Sequence, residues 1–181
     1  MFLTFDTETT GLPKNFNAPV SESENWPRLV QLAWQLNDNN GRLISLNSYI
    51  IKPDGYSIPY NSEKIHGIST EIALKEGKKL GDILKEFEKD LLRSKYIIGH
   101  NIKFDINIVG AEHYRKNFKS SIEDKLKIDT AIISKSFCNL QGGLGGGLKM
   151  PKLIEMYESL FGEKFSDCLL YTSDAADDIP G

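Results

Sequence analysis

Phe2, Leu3 and Phe5 alternate with Thr4 and then with Asp6, Thr7 and Glu8, until Thr10-Gly11 breaks the pattern. A two-residue period of this kind is that of a half-buried strand, so the chain has to build a sheet around its own N-terminus. Side chains two apart on a strand share a face, which puts Asp6 and Glu8 together, roughly 7 Å apart. Like charges so placed repel and raise each other's pKa unless a cation lies between them. Thr10-Gly11 ends the strand, so the pair sits near its end. The spacing alone suits an acidic solvent face of an edge strand equally well.

A second stretch, Tyr96-Ile97-Ile98-Gly99-His100-Asn101-Ile102-Lys103-Phe104-Asp105, favours a site. A short apolar strand breaks at Gly99-His100, and Asn101 is a good N-cap for a helix running to Arg115. Asp105 falls in the first turns of that helix. Ile102, Ile108 and Val109, at i−3, i+3 and i+4, surround it on a core-facing stripe. A carboxylate there needs a partner, since an unpaired buried charge is costly, and a metal is one suitable partner. The macrodipole also favours an Asp at a helix N-terminus, but that does not account for the apolar stripe.

The remaining chain reads as one α/β layered domain. Polar residues Leu12 to Pro27, with three prolines, form a long loop leaving the carboxylate edge, of the kind that is functional or mobile. Val30 to Leu36 alternates as a second strand, Asn37 to Gly41 is hairpin chemistry, and Leu43 to Ile51 is a third strand. Ser69 or Thr70 caps a short helix that Gly77 ends, and Leu80 to Arg93 is amphipathic. Leu126 to Thr130 reads as a fifth strand leading into a helix through about Phe137. The glycine-rich run Gln141 to Gly147 lacks the Gly-Lys-Ser/Thr of a phosphate loop and is a connector. A last helix begins near Pro151, with Leu153, Tyr157, Leu160 and Phe161 as a core stripe ended by Gly162.

Bulk properties narrow the function. A chain of 181 residues with 40% apolar side chains can bury one sizeable core. Cys138 and Cys168 make neither a disulfide framework nor a metal spacing. No apolar run reaches the roughly 18 residues that span a membrane, and no signal layout precedes the first strand, so the expected location is cytoplasmic. A net charge of −3 argues against tight duplex binding through bulk electrostatics. It opposes capture of one strand end less, since metals, backbone groups and stacking serve there.

FDTETTG at residues 5–11, followed by GHNIKFD at residues 99–105, resembles the first two motifs of the DEDD 3′–5′ exonucleases. Within them it is most similar to the DEDDh branch, which contains the epsilon proofreading subunit of bacterial DNA polymerase III. The resemblance covers residues 1–167 and takes in residues 27–34, 65–68 and 149–153. It implies a ribonuclease H-like mixed sheet: three antiparallel strands, then two alternating with helices, with helices on both faces. It also implies two divalent cations, Mg²⁺ or Mn²⁺, which take hard oxygen ligands. In this reading Asp6 bridges both ions, Glu8 holds the nucleophile-side ion and Asp105 supports the other. Thr7 and Thr9 contact the terminal nucleotide, and His66, in the loop 65–68, borders the terminal base. Asn101 and Phe104 line the strand-end pocket. His100 is structural, and His113, at a helix end, only complements the dipole.

The implied activity is removal of nucleotides from the 3′ end of single-stranded DNA, in proofreading or repair, with a DNA polymerase as a possible partner. RNA 3′ ends are an alternative substrate. A non-catalytic nucleic-acid- or polymerase-binding module is the other alternative. In the family a third motif follows, with a His and, five residues on, a fourth carboxylate. Here no histidine lies beyond His113, and Tyr171 and Asp174 stand three apart where the family's tyrosine variant needs four. Residues 168–181 resemble the translation of a transposon-end sequencing adapter. The expected exonuclease domain is therefore residues 1–167, lacking its last motif and impaired, with a non-native tail after it. Without that tail's three acids the chain would carry 22 charges of each sign.

Overall fold

The structure, a computed structural model, describes residues 1–142 and 146–163. Strands β1 (Phe2–Thr9), β2 (Leu29–Asn37) and β3 (Leu43–Ile50) form an antiparallel meander. Helices α1 (Tyr60–His66), α2 (Thr70–Glu76) and α3 (Leu80–Arg93) follow, then β4 (Tyr96–Gly99) and α4 (Lys103–Arg115). The described chain closes with β5 (Leu126–Asp129), α5 (Thr130–Cys138) and α6 (Leu153–Phe161). The sheet order is β3-β2-β1-β4-β5, with β4 parallel to both β1 and β5. This is the expected ribonuclease H-like mixed sheet, and the acidic strand is central rather than an edge.

The two faces of β1 have different fates because its side chains alternate. Leu3 and Phe5 face α3 and α4 and belong to the main core with Trp34, Phe87 and Ile108. Phe87 packs edge-on against both Phe5 and Trp34, at centroid distances of 5.3 and 5.5 Å. The α3 stripe of Leu80, Ile83, Leu84, Phe87 and Leu91 is buried as its spacing predicts. Trp34 Nε1 donates to Asp90 Oδ2 at 3.0 Å, so the indole's polar end is satisfied inside the core. Thr4 and Asp6 point to the other face, where α6 lies.

Several elements depart from their sequence expectation. Helix α1 and its left-handed cap at Gly67 replace the expected loop around His66. Helix α6 buries no side chain, and Leu160 and Phe161 are 51% and 62% exposed. An open cavity separates it from the sheet face that carries Thr4, Asp6, Gln35 and Ile98, so Leu153 and Met156 border the Asp6 side instead of entering the core. His113 does not serve the helix dipole from the surface. It is buried, its Nδ1–H donates to the Val109 carbonyl at 2.8 Å, and burial pushes its pKa down. The expected third motif and the tail at 168–181 lie outside the described residues, as do positions 143–145 of the glycine run.

The long segment after β1 is held in place rather than loose. Asn25 bonds residue 15 in both directions, and Trp26 is buried with Nε1 donating to the Pro19 carbonyl. Arg115 donates to the backbone carbonyls of Ser23, Trp26 and Pro27. Both Arg115 and Arg28 pair with the buried carboxylate of Glu112 at 2.9 Å, which also accepts the Leu29 N–H at 3.0 Å. Glu112 thus ties α4 to the start of β2 and to the returning loop. Removing one partner of such a network leaves uncompensated buried charge. Glu112→Ala is expected to cost about 3–5 kcal/mol, read as a lowered urea midpoint with an unchanged m-value.

Candidate active site

Asp6 and Glu8 lie in the second half of β1, and Asp105 of α4 is brought against the strand at Thr7. A bulge between Glu8 and Thr9 interrupts the pairing with β2, so the strand turns away just past Glu8. Glu8 is 3% exposed and Asp6 half-buried on the same face. Asp105 arrives from the first turn of α4 and is 1% exposed. Its Oδ1 accepts both the Thr7 amide at 3.0 Å and the Thr7 hydroxyl at 2.6 Å. Its Oδ2 is buried without a hydrogen-bond partner. Burial first, and the charge of Asp6 second, hold the Asp105 carboxyl well above the usual carboxylate range, against the Thr7 bonds that favour the anion.

The turn from β4 into α4 explains how Asp105 comes so close. A Cβ at Gly99 would lie 2.9 Å from Ile102 Cγ1 and 3.3 Å from the Phe5 carbonyl oxygen, so only glycine lets the turn sit against β1. Asn101 is not the N-cap. It takes a left-handed φ of 57°, which Asn tolerates, and α4 begins at Lys103. The Asn101 N–H donates to Asp129 Oδ1, which also takes the Ala131 N–H, both at 3.0 Å. Asp129 therefore fastens the α4 entry to the start of α5. Sequence reasoning passed it over, although Asp directly before a helix is an N-cap signal.

The other expected residues fall in distinct places. Thr7 serves Asp105, and the Thr9 hydroxyl donates to the Gly11 carbonyl at 2.7 Å. Phe104 packs in the main core. His66 closes α1 and is 5% exposed. Its Nδ1 accepts the Ile68 N–H at 3.1 Å, so the ring proton sits on Nε2. Burial lowers the His66 pKa more than the Thr9 backbone raises it, leaving a neutral imidazole beside the end of β1. His100 Nε2–H donates to the Pro151 carbonyl at 2.8 Å, and Nδ1 lies 3.0 Å from Thr130 Oγ1. That ring joins β4, α5 and the approach to α6.

Asp6 borders a cavity of about 320 Å³ on the second sheet face, between Thr4, Gln35 and Ile98 below and Leu153 and Met156 of α6 above. The carboxylates of Asp6, Glu8 and Asp105 offer oxygen donors near the end of β1, and oxygen donors suit a hard cation. The unsatisfied Asp105 Oδ2 and its repulsion from Asp6 are what such an ion would relieve. Among the described residues, no three His, Cys, Asp or Glu side chains are already close enough together to cage an ion.

A mixed sheet in this order, with carboxylates at the end of its central strand and at the head of the following helix, is that of a ribonuclease H-like nuclease. A family model described as Exonuclease, of the RNase T type, matches residues 3–163, and the chain belongs to this family. The 3′-5′ exonuclease DinG of Bacillus subtilis (strain 168) is 29% identical over 134 residues, 74% of this chain and 13% of that protein. A crystal structure of E. coli exonuclease I in complex with a dA16 oligonucleotide superposes with a TM-score of 0.69. It is 18% identical, covering 97% of this chain and 38% of the other. The zinc-bound form of an E. coli exonuclease I–ssDNA complex gives a TM-score of 0.62 at 22% identity, over 77% and 30% of the two chains. The chain thus spans well under half the length of these relatives.

Because the Asp105 pKa is raised in the folded protein, its share of stability is full at low pH. That share is lost as pH climbs through the carboxylate range toward the folded value. Asp105→Asn keeps an oxygen for Thr7 and removes the charge. In metal-free buffer at pH 7 its melting temperature is expected to equal or exceed that of the wild type. Mn²⁺ should raise the wild-type melting temperature and leave the variant unmoved, as scanning calorimetry would show. A variant that melts lower, yet still responds to Mn²⁺, would remove Asp105 from the site.

Proposed function

We propose that this chain is a divalent-metal-dependent 3′–5′ exonuclease domain that removes nucleotides from the 3′ end of single-stranded DNA. The observation that carries this reading is the buried, half-satisfied Asp105 carboxylate facing the charge of Asp6 at the end of β1. Asp6, Glu8 and Asp105 would hold two ions, Mg²⁺ or Mn²⁺, by their oxygens. When bound, such ions stabilise attacking and leaving oxygens of a phosphodiester displacement. The protein's own part is to keep Asp105 oriented through the two Thr7 bonds and to exclude water from Glu8 and Asp105. Thr9, His66 and Asn101 are assigned to receiving the strand end, while Phe104, expected beside them, packs in the main core and supports the start of α4. The neutral His66 suits contact with a base better than with a phosphate.

Single-stranded DNA is favoured as substrate by the oligonucleotide-bound exonuclease I structures of the same fold. Proofreading or repair, and a polymerase partner, extend the resemblance to the epsilon subunit. RNA 3′ ends are the competing substrate. The proposal includes an impaired present chain, its third motif replaced by an adapter-derived tail from Cys168 onward. Resequencing the locus past the codon for Asp167 should reveal an in-frame His followed five residues later by Asp. A natural ending at Gly181 would instead favour the non-catalytic module.

The restored protein should release mononucleotides from 5′-labelled single-stranded DNA only with Mg²⁺ or Mn²⁺, and faster than from RNA of the same sequence. Asp6→Asn, Glu8→Gln and Asp105→Asn are each expected to slow release by on the order of 100-fold or more, since even changes one shell out from a metal cost 10–100-fold. Isothermal calorimetry should lose Mn²⁺ binding in Asp6→Asn. Cleavage that survives chelation of all divalent ions would overturn the proposal.

A further inference from the structure

A second concave surface lies on the α3–α4 side of the molecule, a groove of about 420 Å³. Ile51 and Leu80 form its apolar floor, and Lys52, Lys79, Lys85, Lys116 and Arg28 stand around it. Backbone geometry brings two of these lysines together. Lys52 N–H donates to the Lys78 carbonyl at 2.8 Å, and Lys78 N–H to the Ile50 carbonyl at 2.9 Å, a parallel bridge that sets Lys52 beside Lys79. Arg28 Cζ stands over the Tyr56 ring, 4.3 Å from its centroid, and the Tyr56 hydroxyl donates to the Leu29 carbonyl at 2.9 Å.

The charge count is uneven for a chain with a net charge of −3. Glu112 compensates Arg28, and Asp54 lies 3.6 Å from Lys116. Among the described residues, Lys52, Lys79 and Lys85 make no ion pair, and Asp82 is the other acid in the groove. Scattered lysines are ordinary on a protein surface. Unpaired ones around a concave floor concentrate positive potential where a polyanion can lie. The groove also adjoins the carboxylate end of β1. Both backbone groups of Arg28 are bonded to Thr10: the N–H donates to the Thr10 side-chain Oγ1 and the carbonyl accepts the Thr10 N–H, each at 2.9 Å.

We propose that this groove is a second nucleic-acid site, which holds the sugar-phosphate backbone of a single strand through Lys52, Lys79 and Lys85, away from the hydrolytic carboxylates. It rests on the exonuclease reading for the identity of the polyanion. With Arg28 covering Tyr56, the contacts are to phosphates and carry no base preference. The strand leaves the carboxylate end of β1 past Thr10 and Arg28 and follows the groove toward the start of α3.

The test is fluorescence anisotropy of long oligo-dT in metal-free buffer across a salt series, where no turnover occurs. Lys52→Gln/Lys79→Gln should weaken binding several-fold and reduce the salt slope by about 1.4, at about 0.7 per phosphate on single strands. A dinucleotide should show no difference. Lys95→Gln/Lys125→Gln, remote at the opposite end of the sheet where β4 and β5 begin and of equal charge change, should leave both quantities near the wild type. Unchanged binding in the groove variant, or an equal loss in the remote one, would overturn the proposal. So would Lys52-dependent binding of oligo-glutamate with no binding of oligo-dT, which would make the groove a dock for acidic protein. Groove binding that holds while metal-dependent cleavage fails would sink the exonuclease reading alone.

Discussion

The bond between Thr7 and Asp105 is the contact on which the site depends. It joins the central strand to the first turn of α4 and costs the protein a buried carboxylate whose second oxygen has no partner. A folded chain retains such a group only where the surroundings hold it in place. Gly99 and the left-handed Asn101 do this at the turn, and the Phe104, Ile108 and Val109 stripe does it along the helix. Stability has been traded for a locus of concentrated negative charge, which suits a cation far better than a core does.

The Glu112 network complements this arrangement about two turns further along the same side of α4. There the buried carboxylate is fully matched, by two guanidinium groups and a backbone amide. The same helix therefore carries one satisfied acid that holds the loop after β1 and one unsatisfied acid at the site. Arg28 belongs to both the structural network and the basic groove, and its backbone pairs with Thr10. The end of β1, with Glu8 and the bulge, is thus positioned from the loop side as well as from α4.

Much of this was legible in the residues. The alternation of β1 and β2, the Leu80–Phe87–Leu91 spacing of α3, and the apolar neighbours of Asp105 each depend on local periodicity. Local periodicity survives into the fold when the face it describes meets the core. It misled at α6, whose stripe has helical spacing like that of α3 but stands over an open cavity on the second sheet face rather than in the core. It missed α1 because Tyr60–His66 has no side-chain cap and little apolar period, and tertiary packing of Ser62 and His66 shapes it. The Asn101 cap failed because the turn needed a left-handed residue more than a side-chain acceptor.

By itself the sequence determined that an acidic strand opens an α/β sheet, that Asp6 and Glu8 share a face, and that a third carboxylate rides a core-facing helix stripe. Those are consequences of two-residue and 3.6-residue periods, which are set by backbone geometry alone. Only the tertiary structure decided that Asp105 meets Thr7, that Glu112 and not a surface pair ties down the loop, that His66 is buried and neutral, and that lysines far apart in the chain surround one groove. Each of these depends on which strands become neighbours, and strand order is settled by burial across the whole sheet rather than by any local stretch.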